Sequence, residues 1–305
     1  GGSQIVDVDI APTGAELARK RIPAPQGAYN KTIAAICELV RTVEDEAGIA
    51  TANVGMGIPG AVSPQTGLVK NANSTWLIGH AIDSDLAAAL GRPVRVANDA
   101  NCFALSEATD GAASHAETVF GVILGTGVGG GLVVRGRVVA GANGVAGEWG
   151  HNPLPWIDET ERPGRSCYCG FNGCIETFLN GAGLVAGYRA RAGTNANFDA
   201  DAPWVHCAAL DGDTSAERAL RDYENRLARA LAHIINVVDP NVIVLGGGLS
   251  KIGSLYENVP KLWSRWVFGN EVATKLVANR HGDSSGVRGA AWLWPRKTDA
   301  AAETR

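Results

Sequence analysis

The sequence predicts an α/β protein built from two domains, and three observations carry that reading. Short apolar strand patterns alternate with longer stretches of helical periodicity. Several of the strands run straight into glycine clusters, and the crevice outside strand carboxyl ends is where open α/β sheets bind ligands. A chain of 305 residues is long enough for two domains. Composition agrees, with 46% hydrophobic and 19% charged residues, the balance of a globular protein.

In chain order, Gly1-Gly2-Ser3-Gln4 leads into the alternating strand Ile5 to Ile10. A glycine pair ahead of a strand reads as a turn, and a turn implies a strand before it. Pro12, Gly14 and Pro23 to Gly27 are loop signals. Tyr29 to Ala47 carries a helical stripe at positions 33, 36, 37, 40 and 43, with Gly48 as its stop. Val54 to Ile58 is a strand ending at Pro59-Gly60. Residues 70–76, with Asn71 among them, form a loop dense in hydrogen-bonding groups, which solvated turn chemistry also explains. Val94 to Ala97 is a strand, Asn98-Asp99 follows, and a helix runs from Ala100 to Asp110. Asp99 is read either as a simple helix cap or as a carboxylate placed for chemistry at a strand end.

Thr118 to Leu124 is a strand that enters Gly125-Thr126-Gly127-Val128-Gly129-Gly130-Gly131. Gly125, Gly127 and Gly130 have dinucleotide-fingerprint spacing, but that motif needs a following helix. Here β-branched residues follow, so strand, glycine turn, strand is the better reading. Such a turn presents backbone N–H groups to phosphate oxygens; an ordinary glycine hairpin is the alternative. Ile175 to Arg191 and Ser215 to Val238 read as helices, and Gly193 to Asp213 as irregular. Asn241 to Leu245 is a strand ending in Gly246-Gly247-Gly248, read as a flat approach for a ring or phosphate or as a packing turn. Helices at Tyr256 to Phe268 and Val287 to Trp294 precede a polar tail.

The stretch from Glu148 to Glu176 is chemically the densest. Three of the six cysteines, Cys167, Cys169 and Cys174, fall within eight residues, and His151 lies sixteen positions earlier. Three thiolates and an imidazole are a common closed set for structural Zn²⁺. A disulfide with one spare thiol is the alternative, less suited to an odd number of close cysteines. Cys37 and Cys102 lie in apolar helical patterns and read as buried thiols, so the cysteine usage suits a reducing cytoplasm. The net charge of −4 gives no reason to expect nucleic acid or an anionic membrane as partner. No run of eighteen apolar residues and no secretion signal is present in the sequence.

Taken together, these motifs resemble the ROK family of repressors, uncharacterised reading frames and sugar kinases. The carriers are Gly1 to Gln4, Asn98 to Asn101, Gly125 to Gly130, Glu148 to His151, Cys167 to Glu176 and Leu245 to Gly248. Gly55 to Gly60, Lys70 to Leu77, Glu148 to Trp156 and His281 to Trp294 resemble bacterial fructokinases that also accept mannose. The resemblance implies a two-domain actin/hexokinase-like (ribonuclease H-like) fold with an interdomain cleft. The expected domains are residues 1–112 with 286–305, and residues 113–285 with the zinc loop. It implies ATP- and Mg²⁺-dependent phosphorylation of a hexose at its terminal hydroxyl, D-fructose first and mannose second, and a cytoplasmic homodimer. Glucose and N-acetylhexosamines are the alternative acceptors. By motif, Asp99 is the general base. Gly60, Asn71, Asn98, Asp99, Glu148, His151 and Glu176 bind sugar. Gly2, Ser3, Gln4, Gly125, Thr126, Gly127, Gly129, Gly130, Gly246, Gly247 and Gly248 face ATP. His151, Cys167, Cys169 and Cys174 hold structural zinc.

The family pattern opens with a strand and an Asp just ahead of the Gly-Gly pair; neither stands in this sequence. Ser3 and Gln4 occupy positions usually held by Thr and Lys. Truncation is the expected explanation, with a weak or inactive kinase as the alternative. A sugar-sensing transcription regulator is the competing class, disfavoured because no helix-turn-helix segment or basic face is evident.

Overall fold

The computed structural model describes residues 4–269 and 271–294. The expected ATP contacts Gly2 and Ser3, and the polar tail, lie outside the described residues. The chain forms two compact units, Gly1–Ser114 with Gly131–Ala146 and Asp283–Arg305, and His115–Gly130 with Gly147–Gly282. The segment 131–146, expected in the second domain, therefore belongs to the first unit.

In the first unit, β1 (Gln4–Ile10) pairs antiparallel with β2 (Glu16–Pro23). Helix α1 (Tyr29–Ala47) follows, and Gly48 closes it in the left-handed conformation at φ 69°, with its N–H on the Asp45 carbonyl. A glycine there avoids the Cβ penalty of that conformation. β3 (Val54–Ile58), α2 (Ile82–Leu90), β4 (Val94–Asn98) and α3 (Asp99–Thr109) come next. β3 and β4 pair in parallel, in register from Val54 with Val94 to Ile58 with Asn98. Ile36, Cys37 and Val40 of α1 pack with Ile58, Leu77, Ile82 and Leu86 in one apolar core. A C-terminal helix, Ser285–Ala291, packs on α3 and β3.

In the second unit, β5 (Thr118–Leu124) is followed by β6 (Val128–Val134), whose last residues pass into the first unit. The strand, glycine turn, strand expected here is present. Gly129, Gly130 and Gly131 lie within β6 rather than in the turn. The expected single helix from Ile175 is two, α4 (Ile175–Leu179) and α5 (Gly181–Ala192). Asn180 interrupts them: extended at ψ 171°, it caps α5 by accepting from Gly183 N–H at 2.7 Å. The stretch expected to be irregular holds α6 (Ala202–Leu210), capped by Asp201 with Pro203 in its first turn. α7 (Thr214–Val238) packs against α4, α5 and α6, and against α8 (Ser254–Leu262). β7 (Val242–Gly246) lies between β5 and β8 (Lys275–Ala278), parallel to both. Among the described residues, no helix is long and apolar enough to cross a membrane.

Candidate active site

Asp99 opens α3 directly after β4. Asn98 caps that helix, accepting from Ala100 N–H at 2.8 Å and Asn101 N–H at 3.3 Å. Its amide nitrogen donates to Gly60 O at 3.1 Å, which ties β4 to the turn after β3. Asn98 is thus both cap and strut. Asp99 Oδ1 accepts from Ala100 N–H at 2.9 Å. Burial raises the Asp99 carboxyl above the ordinary range, and that backbone bond only partly opposes it. A raised pKa makes a carboxylate a better proton acceptor while leaving it able to ionise. Gly60 has no room for a side chain: a Cβ there would meet Ala72 Cβ at 2.8 Å and Lys70 O at 2.9 Å. Asn71, beside that contact, adopts the left-handed region at φ 53°, which Asn tolerates. Gly60, Asn71, Asn98 and Asp99 are therefore neighbours in one unit. Gln4 is exposed at the start of β1.

The second unit gathers the glycine turn, Glu148, His151, Glu176 and the cysteines. Glu148 to His151 is held by Trp149, whose buried indole donates from Nε1 to Gly129 O at 3.0 Å. Gly130 makes space for it, since a Cβ there would lie 2.6 Å from Trp149 Cδ1. Trp149 was not among the expected site residues, although it fixes the backbone between Glu148 and His151. Glu148 itself is exposed. Glu176 is 9% exposed, and its Oε2 accepts from Val128 N–H at 2.9 Å.

The glycine turn presents fewer free amides than its sequence suggests. Gly125 N–H donates to Gly127 O at 3.0 Å, and Val128 N–H is taken by Glu176. Gly181 N–H holds Gly125 O at 2.9 Å, and Asn180 holds Thr126 O at 3.2 Å. Among the described residues, the amides of Thr126 and Gly127 at the tip have no hydrogen-bond partner. Gly247, at φ 83°, crosses β5 so closely that a Cβ would meet Leu124 O at 2.4 Å. Its requirement for glycine is packing, whereas Gly248 faces open space.

Nδ1 of His151 and the sulfurs of Cys167, Cys169 and Cys174 fit a metal. One ligand atom from each lies within 4.8 Å of all the others. His151 Nδ1 is 3.6 Å from Cys167 Sγ, and Cys169 Sγ is 3.6 Å from Cys174 Sγ. A tetrahedral zinc with ordinary bond lengths places sulfur and nitrogen ligands about 3.6 Å apart and two sulfurs about 3.8 Å apart. All six cysteines are free thiols. Burial, with the neighbouring thiols, pushes Cys174 up to about 12, a cost that a central cation would offset. The other ring nitrogen of His151 lies 2.9 Å from the Tyr168 hydroxyl. That contact was not foreseen, because a tyrosine between two cysteines carries no pattern pointing back to His151.

The ROK family description matches residues 1–297, and the chain belongs to that family. It is 40% identical over 281 residues to an N-acetyl-D-glucosamine kinase of Vibrio cholerae serotype O1, covering 91% of each chain. It also superposes on a ROK hexokinase from Thermus thermophilus, with TM-score 0.80, 28% identity and coverage of 97% of this chain and 99% of that one. A ROK glucokinase from Streptomyces griseus, solved with glucose and AMPPNP, gives TM-score 0.77 at 28% identity over 96% of both chains. The fold is thus the actin/hexokinase-like α/β fold of this family. The fructokinase subtype expected from the sequence finds no support in these relatives.

Proposed function

We propose that the protein transfers the γ-phosphoryl group of ATP to the terminal hydroxyl of a hexose, and that this hexose is N-acetyl-D-glucosamine. The observation that carries the choice of acceptor is the 40% identity to the Vibrio cholerae kinase across 91% of both chains. Fructose, the first expectation, has no comparable support.

Asp99 is the general base. As the acceptor oxygen forms its bond to the γ-phosphorus, its proton passes to the Asp99 carboxylate and ADP departs. General-base assistance is typically worth about 10²–10⁴-fold. Asn98 fixes the backbone that carries Asp99, and Gly60 and Asn71 shape the adjoining turn. In the second unit, Glu148, His151 and Glu176 accept or donate hydrogen bonds to sugar hydroxyls. The Thr126 and Gly127 amides, with Gly248, meet phosphate or adenine. A bound Mg²⁺ would supply neutralisation of the charge that develops on the phosphates in reactions of this class. His151, Cys167, Cys169 and Cys174 would hold a zinc ion with no open coordination position, so its contribution is to fix the loop that carries His151.

Coupled measurement of ADP release with N-acetyl-D-glucosamine, glucose, mannose and fructose tests the proposal. The highest kcat/KM is expected with N-acetyl-D-glucosamine. A higher value with fructose would overturn the acceptor, and absence of turnover with all four would overturn the kinase reading.

A further inference from the structure

His151 has one N–H to give, and the structure spends it on Tyr168. Nδ1 of His151 faces the Cys167 sulfur at 3.6 Å, inside the four-residue group that fits a metal. Committed there as an acceptor or a ligand, Nδ1 leaves the ring proton on Nε2. Nε2 lies 2.9 Å from the Tyr168 hydroxyl, so Nε2–H donates and the phenolic oxygen accepts. The two rings meet edge-on, at 89° with centroids 5.0 Å apart. The O–H proton of Tyr168 is then left over, and among the described residues it has no acceptor.

Burial gives no reason for a tyrosine at this position. Tyr168 is 74% exposed, and the ring it meets is that of His151. Its hydroxyl nevertheless sits among groups proposed to hold sugar. Glu148 opens the turn that carries His151, and Glu176 follows Cys174 by two residues. Desolvation first, then the charges of Glu176, Cys167 and Glu148, push the phenol up to about 12, in keeping with a hydroxyl close to both carboxylates. The donors and acceptors of these four side chains are unequal in number. Ionised Glu148 and Glu176 only accept. They suit sugar hydroxyls and an amide N–H, which can donate to them. A carbonyl oxygen only accepts, so it needs a donor. With the His151 proton committed, the Tyr168 O–H is the donor these four side chains have left.

We infer that Tyr168 reads the 2-acetamido substituent of the hexose: its hydroxyl accepts from His151 Nε2–H and donates to the acetamido carbonyl oxygen, while a neighbouring carboxylate takes the amide N–H. The inference rests on the proposed hexose site and adds what makes that site prefer an N-acetylated sugar. Glucose carries a hydroxyl at the same carbon. That hydroxyl can turn its own proton to a carboxylate, so it depends less on Tyr168. The run from His151 through Tyr168 to the carbonyl has a fixed direction, because Nδ1 is committed on the other side of the ring.

Tyr168→Phe removes the hydroxyl and keeps the ring. Calorimetry gives the Kd for N-acetyl-D-glucosamine and for glucose with the parent chain and with the variant. The ratio of the two constants is expected to move by about 10–100-fold against N-acetyl-D-glucosamine, the effect of leaving one carbonyl without its donor. In turnover the loss should fall on KM rather than kcat, since a substituent remote from the transferred phosphoryl group is held equally in ground and transition states. An unchanged ratio would overturn the inference. If both sugars weakened together, Tyr168 would be acting through His151 or the metal loop; if both bound more tightly, its hydroxyl would be blocking His151. Loss in kcat alone would overturn it as well. Turnover of N-acetyl-D-glucosamine by the parent with an unchanged ratio would defeat the role of Tyr168 alone. A shifted ratio without turnover would defeat the kinase reading alone, and absence of binding by both sugars would defeat both.

Discussion

Replacing Arg229 with Met is expected to destabilise the second unit by about 3 kcal/mol. Glu161 is 6% exposed and accepts from Arg229 at 2.6 and 3.0 Å and from Arg226 Nε at 2.7 Å. Burial alone would raise the Glu161 carboxyl, but the hydrogen bonds from Arg229 and Arg226 outweigh it and hold it below the ordinary range. Arg229 also donates to Pro155 O at 3.2 Å and Trp156 O at 2.6 Å. Breaking a buried pair by removing one partner costs about 3–5 kcal/mol, because the remaining charge is left uncompensated. Arg226 stays in place, which puts Arg229→Met at the lower end. The assay is urea unfolding, with the midpoint shifting and the slope unchanged. A double-mutant cycle with Glu161→Met isolates the pair, since removing both charges should cost less than the sum of the single losses. A loss below about 1 kcal/mol for Arg229→Met, or strict additivity in the cycle, would refute the reasoning. The segment from Pro155 to Glu161 lies between His151 and Cys167 in sequence, so Arg229→Met should also lower metal retention at equal protein concentration.

Asp99→Asn should keep sugar affinity and lose about 10²–10⁴-fold in kcat; near-normal turnover would remove its role as base. Because burial raises the Asp99 carboxyl, kcat should fall on acidification at a higher pH than an ordinary Asp would give, which a pH–rate profile reads. Asp7 is pushed up to about 6 by burial first and Asp9 second. Its protonated form is the one the fold favours, so its own contribution to stability should be most favourable below about pH 4 and decline by about 2–3 kcal/mol as pH rises to 6. Asp7→Asn should flatten that slope in urea titrations. A strong chelator should lower both Tm and sugar affinity, and metal analysis showing no zinc in active protein would defeat the zinc assignment. Asn98→Ala should cost about 1 kcal/mol as a lost cap, and more in kcat/KM than that figure implies, since Gly60 also loses its tether.

Much of this architecture was readable because its signals are local. α1 shows its stripe and its glycine stop in sequence, and the structure places both as expected. His151, Cys167, Cys169 and Cys174 are near enough in sequence for spacing alone to suggest that they meet. β2 was missed because Glu16–Pro23 carries four charged residues and buries none completely, leaving no apolar face to detect. α6 was missed because Pro203 reads as a breaker, whereas in a first helical turn it costs nothing. The break at Asn180 was invisible because Asn is merely a weak helix former until its side chain finds Gly183 N–H. Tertiary commitments were the least legible. The glycine turn suggests a row of free amides, yet Glu176 and Gly127 O consume two of them from beyond any sequence pattern.

The bond between Glu176 and Val128 N–H has a kinetic consequence. In the proposed reaction, where Glu176 meets a sugar hydroxyl and the glycine turn meets the nucleotide, the amide two residues beyond Thr126 adjusts with the shared carboxylate, so hexose occupancy is transmitted to the turn. Substrate synergy follows: the KM for ATP should drop as hexose approaches saturation, and Glu176→Gln should uncouple the two.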